Sequence, residues 1–138
     1  MMRVLGLGND LVDIRRIEKS LEKYGDRFIR RTFNEVEKAR AEARPQTRAS
    51  VYGKRFAAKE AFSKALGTGF LQDGVSWQDV WVENDDRGRP HIRLAGRARE
   101  ILDDLVPDGM TAQIDLTITD DYPWAQAIVL ITANSAHR

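Results

Sequence analysis

The order of apolar and polar positions at the start of the chain predicts a strand followed by a helix. Arg3–Leu7 is apolar and interrupted by glycine, which is typical of a buried strand. Apolar residues then recur at helical spacing from Asp13, which can serve as an N-cap, to about Tyr24. Gly25 is expected to end this helix.

Two more helices are predicted before residue 67. A short turn over Asp26–Arg31 leads to the first of them, and Pro45 separates it from the second. The first covers about Asn34–Ala43, and its first residue forms a capping-box pattern with Glu37. The second is long, covers about Arg48–Leu66 and has Gly67 at the position after its last turn.

The second half of the chain changes to a strand period. The predicted strands are Val80–Val82, His91–Leu94, Met110–Thr119 and Ala125–Thr132, with a helix over Ala95–Leu105. The last strand is apolar enough to be central in a sheet. Long helices separated from mostly antiparallel strands place the chain in the α+β class.

Length and composition favour a single domain covering residues 1–138. The chain has 42% hydrophobic and 31% charged residues, an ordinary balance for a globular core. It has no cysteine, which excludes disulfides and thiolate metal sites. No apolar run approaches the roughly 18 residues of a membrane span, and the N-terminus does not resemble a signal peptide. We therefore expect a cytoplasmic protein without membrane association.

The net charge of +1 conceals two halves of opposite sign. Residues 1–66 contain 16 Lys/Arg and 9 Asp/Glu, whereas residues 67–138 contain 6 and 12. A basic first half suits an anionic partner, whether nucleic acid, an acidic protein or a phosphorylated ligand. The same charges are also compatible with an ordinary solvated surface.

Three acidic or basic positions are candidates for chemistry, each with an ordinary alternative. Asp10 follows the first strand, where it is either a turn residue or a carboxylate directed into a cleft. Glu60 and Lys64 lie one helical turn apart, as in a solvated salt bridge. Because alanine and phenylalanine surround this pair in the sequence, it is also a candidate ligand site.

Of the two glycine pairs that suggest phosphate-binding turns, only the second remains a candidate. Gly6 and Gly8 do not form a dinucleotide-binding fingerprint, since the third glycine of that pattern would fall at Leu11. Gly67-Thr68-Gly69 either ends the long helix or brings backbone close to an anion.

Two stretches give the chain a resemblance to a known family. GLGNDLVDIRRIE (6–18) and KRFAAKEAFSKALGTG (54–69) resemble motifs of the holo-acyl-carrier-protein synthases, the small bacterial 4′-phosphopantetheinyl transferases. The resemblance extends over nearly the whole chain. It implies a phosphopantetheinyl transferase-like fold, with long helices packed on a small, mostly antiparallel sheet.

The resemblance also implies a reaction and its site. Enzymes of this family transfer the phosphopantetheine arm of coenzyme A to a serine of apo acyl carrier protein, which releases 3′,5′-ADP and serves fatty acid biosynthesis. By their motif positions, Asp10 and Glu60 match ligands of Mg²⁺, and Lys64 matches a catalytic residue beside the pyrophosphate. The positions expected to bind coenzyme A are Arg55, Lys64, Gly67, Thr68 and Gly69.

The family also implies protein partners. Carrier-protein docking is expected at Arg16, Leu21, Arg27, Phe28 and Arg31, and the family is usually a homotrimer with sites between subunits. One position departs from the family pattern, because Ile118 stands where a histidine is frequent.

Two other classes of function compete with this interpretation. The basic first half would also suit a non-catalytic module that binds nucleic acid or an acidic protein. A structural subunit, with Glu60 and Lys64 as an ordinary ion pair, is the third possibility. The motifs favour the enzyme, with neither nucleic acid nor membrane as partner.

Overall fold

The computed structural model describes residues 1–69 and 73–135, and the secondary structure follows the predicted order closely. The strands are β1 (Met2–Asp13), β2 (Val80–Asn84), β3 (Pro90–Leu94), β4 (Met110–Asp121) and β5 (Trp124–Ser135). The helices are α1 (Ile14–Tyr24), α2 (Asp26–Thr32), α3 (Glu35–Glu42), α4 (Arg48–Leu66) and α5 (Gly96–Leu105).

The long strands form one antiparallel sheet in the order β1-β5-β4, so β5 is central as predicted. Strands β2 and β3 form a separate hairpin. Along β5, Ala127, Val129 and Ile131 are buried on the face that α4 covers, and Ile128 is exposed on the other. The predicted α+β class is confirmed.

Helix α4 occupies the centre of the molecule. It packs on β1 and β5 and is also contacted by α1, α3 and β2. The sequence predicts one apolar face, yet Tyr52, Arg55 and Lys59 are buried as well. The difference arises because the helix is enclosed on several sides, which hydrophobic periodicity alone does not reveal.

Glycine allows α4 to lie directly against the backbone of β1. A Cβ atom added at Gly6 would overlap the carbonyl oxygen of Ala65, and one at Gly8 would overlap that of Ala61. These glycines therefore serve close helix–strand packing, and the failed match to a nucleotide fingerprint is consistent with this role.

Two predicted elements are corrected by tertiary contacts. Asp26–Arg31 was expected to be a turn but lies in α2, where burial of Ile29 stabilises a short helix. Strand β1 was expected to end near Leu7, but its pairing with β5 continues to Asp13. Asp10 consequently lies within the strand and pairs with Ala127.

Local capping signals were predicted correctly. Asp13 caps α1, and the capping box of α3 is complete, since Asn34 and Glu37 exchange backbone-to-side-chain hydrogen bonds of 3.0 and 3.1 Å. In the described part of the chain, no helix combines the length and apolar character needed to cross a membrane.

Candidate active site

Asp10 and Glu60 line the same cleft, of about 320 Å³, between β1, α1 and α4. Asp10 lies on the face of β1 that includes the buried Gly8 and Val12, and 14% of its side chain is exposed. Phe28 and Phe56 add apolar walls. The fold thus brings together the two carboxylates that the sequence singled out.

Lys64 joins this cleft through Asp10. Its Nζ donates hydrogen bonds of 3.0 Å to Asp10 Oδ1 and to the backbone carbonyl of Asn9. Among the described residues, no ion pair within 4.0 Å joins Lys64 to Glu60, so the helical salt bridge suggested by the spacing is not formed. The Lys64 side chain is 54% exposed and accessible to a ligand.

The surroundings of Glu60 disfavour the ionised form of its carboxyl group. Burial raises the pKa of this carboxyl group, the neighbouring Asp10 carboxylate raises it further, and Lys64 opposes the shift. Two like charges that face one cleft favour a cation between them.

The donor set fits Mg²⁺ better than a metal held by protein alone. In the described chain no group of three or more His, Asp or Glu side chains is arranged to hold a metal ion. Mg²⁺ commonly uses one or two carboxylates and completes its shell with phosphate oxygens and water. Asp10 and Glu60, which come from separate elements, meet that requirement.

Arg55 lies at a second cleft, of about 620 Å³, elsewhere along α4. Its Nη2 donates a 2.6 Å hydrogen bond to Asn84 Oδ1, while its buried Nε has no partner among the described residues. Burial lowers the pKa of the guanidinium group. Further basic residues line the cleft, namely Arg40, Arg44 and Lys54. A phosphorylated ligand would find positive charge here.

Gly67-Thr68-Gly69 ends α4, as one of its two interpretations predicts. Gly67 has a φ of 86°, and the backbone N–H groups of Gly67 and Thr68 both donate to the carbonyl of Ser63. The Thr68 hydroxyl oxygen is buried without a hydrogen-bond partner in the described chain. Contact of this turn with a ligand stays a prediction.

The predicted docking residues differ in exposure. Arg16, Arg27 and Arg31 are exposed, and Phe28 is half-buried. Arg16 and Phe28 also line the carboxylate cleft, which connects the basic surface to the site. Leu21 is buried in the core at 8% exposure, so it supports α1 from within and offers a partner little surface.

A comparison with known families identifies the chain. The family model for the 4′-phosphopantetheinyl transferase superfamily, of the holo-acyl-carrier-protein synthase type, matches residues 6–127. The chain belongs to this family. It is therefore an enzyme of the phosphopantetheinyl transferase class, as the motifs predict.

Full-length relatives support this assignment. The holo-[acyl-carrier-protein] synthase of Paramagnetospirillum magneticum is 54% identical over 134 residues, which cover 96% of this chain and 99% of the relative. That of Rhodopseudomonas palustris is 56% identical over 133 residues and covers 94% of both chains.

Solved structures of the family share the fold. The holo-[acyl-carrier-protein] synthase of Neisseria meningitidis has a TM-score of 0.81 at 28% identity and covers 94% of this chain and 98% of its own. A Bacillus anthracis synthase in complex with CoA (3′,5′-ADP) has a TM-score of 0.74 at 32% identity and covers 99% and 100%.

Within this transferase fold, Ile118 lies at the second cleft. It is half-buried and lines the same 620 Å³ space as Arg55. An isoleucine adds apolar surface there and no side-chain hydrogen bond, whereas the basic residues provide the positive charge of this cleft.

Sequence reasoning missed one prominent feature of the transferase, a buried ion pair. Lys59 Nζ lies 2.7 Å from Glu37 Oε1, and both side chains are fully buried. The sequence contained one signal for this pair. Lys59 lies among Ala57, Ala58 and Ala61 in the middle of a helix, and a lysine in such an apolar stretch is expected to be buried with a partner.

Proposed function

We propose that the enzyme transfers the 4′-phosphopantetheine group of coenzyme A to a serine of apo acyl carrier protein. The serine oxygen forms a bond to the β-phosphorus, the bond between that phosphorus and the bridging oxygen breaks, and 3′,5′-ADP leaves. We further propose that residues 1–138 act as one domain, that the reaction requires Mg²⁺ and that it serves fatty acid biosynthesis in the cytoplasm. The observation that carries the proposal is the shared cleft of Asp10 and Glu60.

Asp10 and Glu60 would hold Mg²⁺, which when bound neutralises charge that builds on the leaving phosphate. Lys64 holds Asp10 in place through its 3.0 Å hydrogen bond and adds a positive charge at the same edge. The serine hydroxyl is a weak nucleophile and needs a base. A water molecule in the cleft, or Glu60 through such a water, would accept the serine proton.

Coenzyme A binding is assigned to the second cleft and the end of α4. The basic residues around Arg55 suit the phosphorylated adenosine end, because they form a cluster of positive charge at the cleft. Gly67, Thr68 and Gly69, which follow Lys64 at the end of α4, would contribute backbone to this binding surface. The synthase structures from Bacillus anthracis and Helicobacter pylori were solved with CoA.

Carrier-protein docking is assigned to Arg16, Arg27, Arg31 and the edge of Phe28. An acidic protein would meet exposed guanidinium groups here and place its serine near the carboxylate cleft, which Arg16 and Phe28 line. A non-catalytic module for an anionic partner would use the same basic surface. It would leave the paired carboxylates of the cleft without a role.

The outer face of the long sheet supports the proposed homotrimer with sites between subunits. Opposite α4, this face exposes Val4, Leu7 and Leu11 of β1 at 56%, 66% and 58%, and Ile128 of β5 at 39%. Exposed apolar side chains on one face of a sheet suit an interaction site.

The deciding experiment is mass spectrometry of an apo carrier protein after incubation with the enzyme, CoA and Mg²⁺. We expect the mass of one phosphopantetheine to be added to the serine, and no addition with Glu60→Ala or after chelation. Glu100→Ala, a change at an exposed glutamate of α5, is the matched control and should transfer normally. No addition by the wild-type enzyme, together with a melting shift caused by an oligonucleotide but not by CoA, would favour the binding module.

A further inference from the structure

The buried ion pair of Lys59 and Glu37 lies at the junction of four elements. Lys59 Nζ donates to Glu37 Oε1 at 2.7 Å and to the carbonyl of Thr32, the last residue of α2, at 2.6 Å. Glu37 Oε2 accepts from the backbone N–H of Val82 in β2 at 2.9 Å, and Oε1 accepts from the N–H of Asn34. One carboxylate thus connects α3, α4 and β2, and its lysine partner adds α2.

We infer that Glu37 and Lys59 are positioning residues that fix the location of α4, and with it the direction of Glu60 and Arg55. Lys59 precedes Glu60 directly and lies one turn after Arg55. Because an α-helix moves as a rigid rod, an anchor at Lys59 sets both its position along the axis and its rotation. The inference rests on the proposed function in one respect, namely that Glu60 and Arg55 face the ligand.

Apolar packing alone would hold α4 less specifically. Its contact with β1 involves small residues, namely Ala61 and Ala65 against Gly8 and Gly6, which pack closely but without directional bonds. The hydrogen bonds of Glu37 and Lys59 are short and directional, so they favour one register of the helix.

Stability is a poor explanation for this pair. Removing charges from water opposes the attraction between them, and apolar replacements of a buried ion pair are often neutral or stabilising. Losing one partner is costly, because it leaves the other charge buried alone. This asymmetry provides a way to separate stability from positioning.

The test compares Lys59→Met, Glu37→Gln and the double variant Glu37→Gln/Lys59→Met in the full-length enzyme. We expect each single variant to be less stable in urea than the double variant. In the double variant, measured where it is fully folded, kcat should fall at least about tenfold while KM for CoA changes less than about threefold, because chemistry tolerates misplacement less than binding does. A purely structural pair would leave kcat of the folded double variant at the wild-type value, and that result would overturn the inference.

The matched control is the surface ion pair Arg48–Glu42, which joins the same two helices at 2.8 Å. Glu42→Gln/Arg48→Met should retain wild-type kcat. A crystal structure of the buried double variant gives a readout apart from activity, and we expect Glu60 displaced relative to Asp10. If the wild-type enzyme itself transfers nothing, the proposed function fails while this displacement still decides the positioning role. An undisplaced Glu60 would refute it.

Discussion

Glu60 is held in an electrostatic environment that disfavours its own charge. Burial and the adjacent Asp10 both raise the pKa of its carboxyl group, and Lys64, which bonds to Asp10, compensates only in part. Such an arrangement is typical of a functional site, where a bound ligand relieves repulsion that the free protein tolerates.

At this scale we predict that Glu60→Gln stabilises the ligand-free protein. Because the pKa of Glu60 is higher in the folded state than in the unfolded state, its ionisation lowers the free energy of unfolding. This loss begins as the pH rises through the unfolded pKa and is complete above the folded pKa. The gain in the free energy of unfolding should be roughly 0.5 kcal/mol at about pH 8, a value discounted for solvent screening of a half-exposed group. It should disappear below the unfolded pKa, where Glu60 is protonated in both states.

Urea denaturation of wild type and Glu60→Gln at about pH 8 and about pH 4, without divalent ions, measures this difference. Glu100→Gln is the control and should change little at either pH. A variant that is less stable than wild type at the higher pH would show that the two carboxylates do not repel each other.

Among the elements, the pairing of β1 with α4 matters most for the site. Gly6 and Gly8 let the helix approach the strand so closely that Asp10 and Glu60 share one cleft. The separation of the two carboxylates is thus set by backbone contact rather than by flexible side chains.

We predict that Gly8→Ala destabilises the protein by about 3 kcal/mol and abolishes transfer, because its Cβ would overlap the Ala61 carbonyl and force the backbones apart. Gly53→Ala is the control within α4. Its Cβ would lie 3.2 Å from Cγ1 of Ile14, a tight side-chain contact rather than an overlap with backbone, and alanine favours the helix, so stability should stay within about 1 kcal/mol of wild type. Thermal denaturation and the transfer assay measure both, and an active, stable Gly8→Ala would contradict the close-packing explanation.

Elements with local signals were predictable from sequence, and those that depend on distant contacts were not. Gly67 in a left-handed conformation and the capping box at Asn34 follow from residue types alone. Helix α2 depends on burial of Ile29, and the last residues of β1 depend on pairing with β5. Neither contact can be recognised from neighbouring residues.

The site likewise combines features that local sequence signals predict with features that depend on distant contacts. The motif predicted Asp10 and Glu60, and the fold places them in one cleft. Helical spacing suggested Glu60 as the partner of Lys64, whereas the strand provides Asp10, because the glycines of β1 bring it within reach. The burial of Leu21 and the Lys59–Glu37 pair depend on how α1 and α3 pack around α4, which no spacing along one helix encodes.

For the whole molecule, the uncovered apolar face of the sheet leads to a prediction about assembly. We expect the wild-type enzyme to be a trimer and Leu7→Asp to shift it towards monomer, since Leu7 is 66% exposed on that face of the edge strand β1. Leu105→Asp, at an exposed leucine of α5, should leave the trimer intact. Light scattering with size-exclusion chromatography measures the mass, and an unchanged mass for Leu7→Asp would place the subunit contact elsewhere.

The distribution of charge over the molecule leads to the last prediction. The first half has a net charge of +7 and the second −6, and α1 and α2 carry exposed arginines, of which Arg16 lines the carboxylate cleft. A carrier protein with an acidic surface would be attracted to one side of the enzyme, whereas CoA would meet its own basic cleft around Arg55. Changes on the docking surface should therefore act on one substrate and not on the other.

We predict that Arg27→Ala raises KM for the carrier protein about fivefold to tenfold and leaves KM for CoA within about twofold, because Arg27 is exposed on α2 and does not line either cleft. Added salt should weaken carrier binding by the wild type more than by the variant, since screening acts on the charge that the variant lacks. Arg99→Ala, at an exposed arginine of α5, is the control and should behave as wild type. Equal increases in both KM values for Arg27→Ala would show that this surface does not distinguish the protein substrate from the nucleotide.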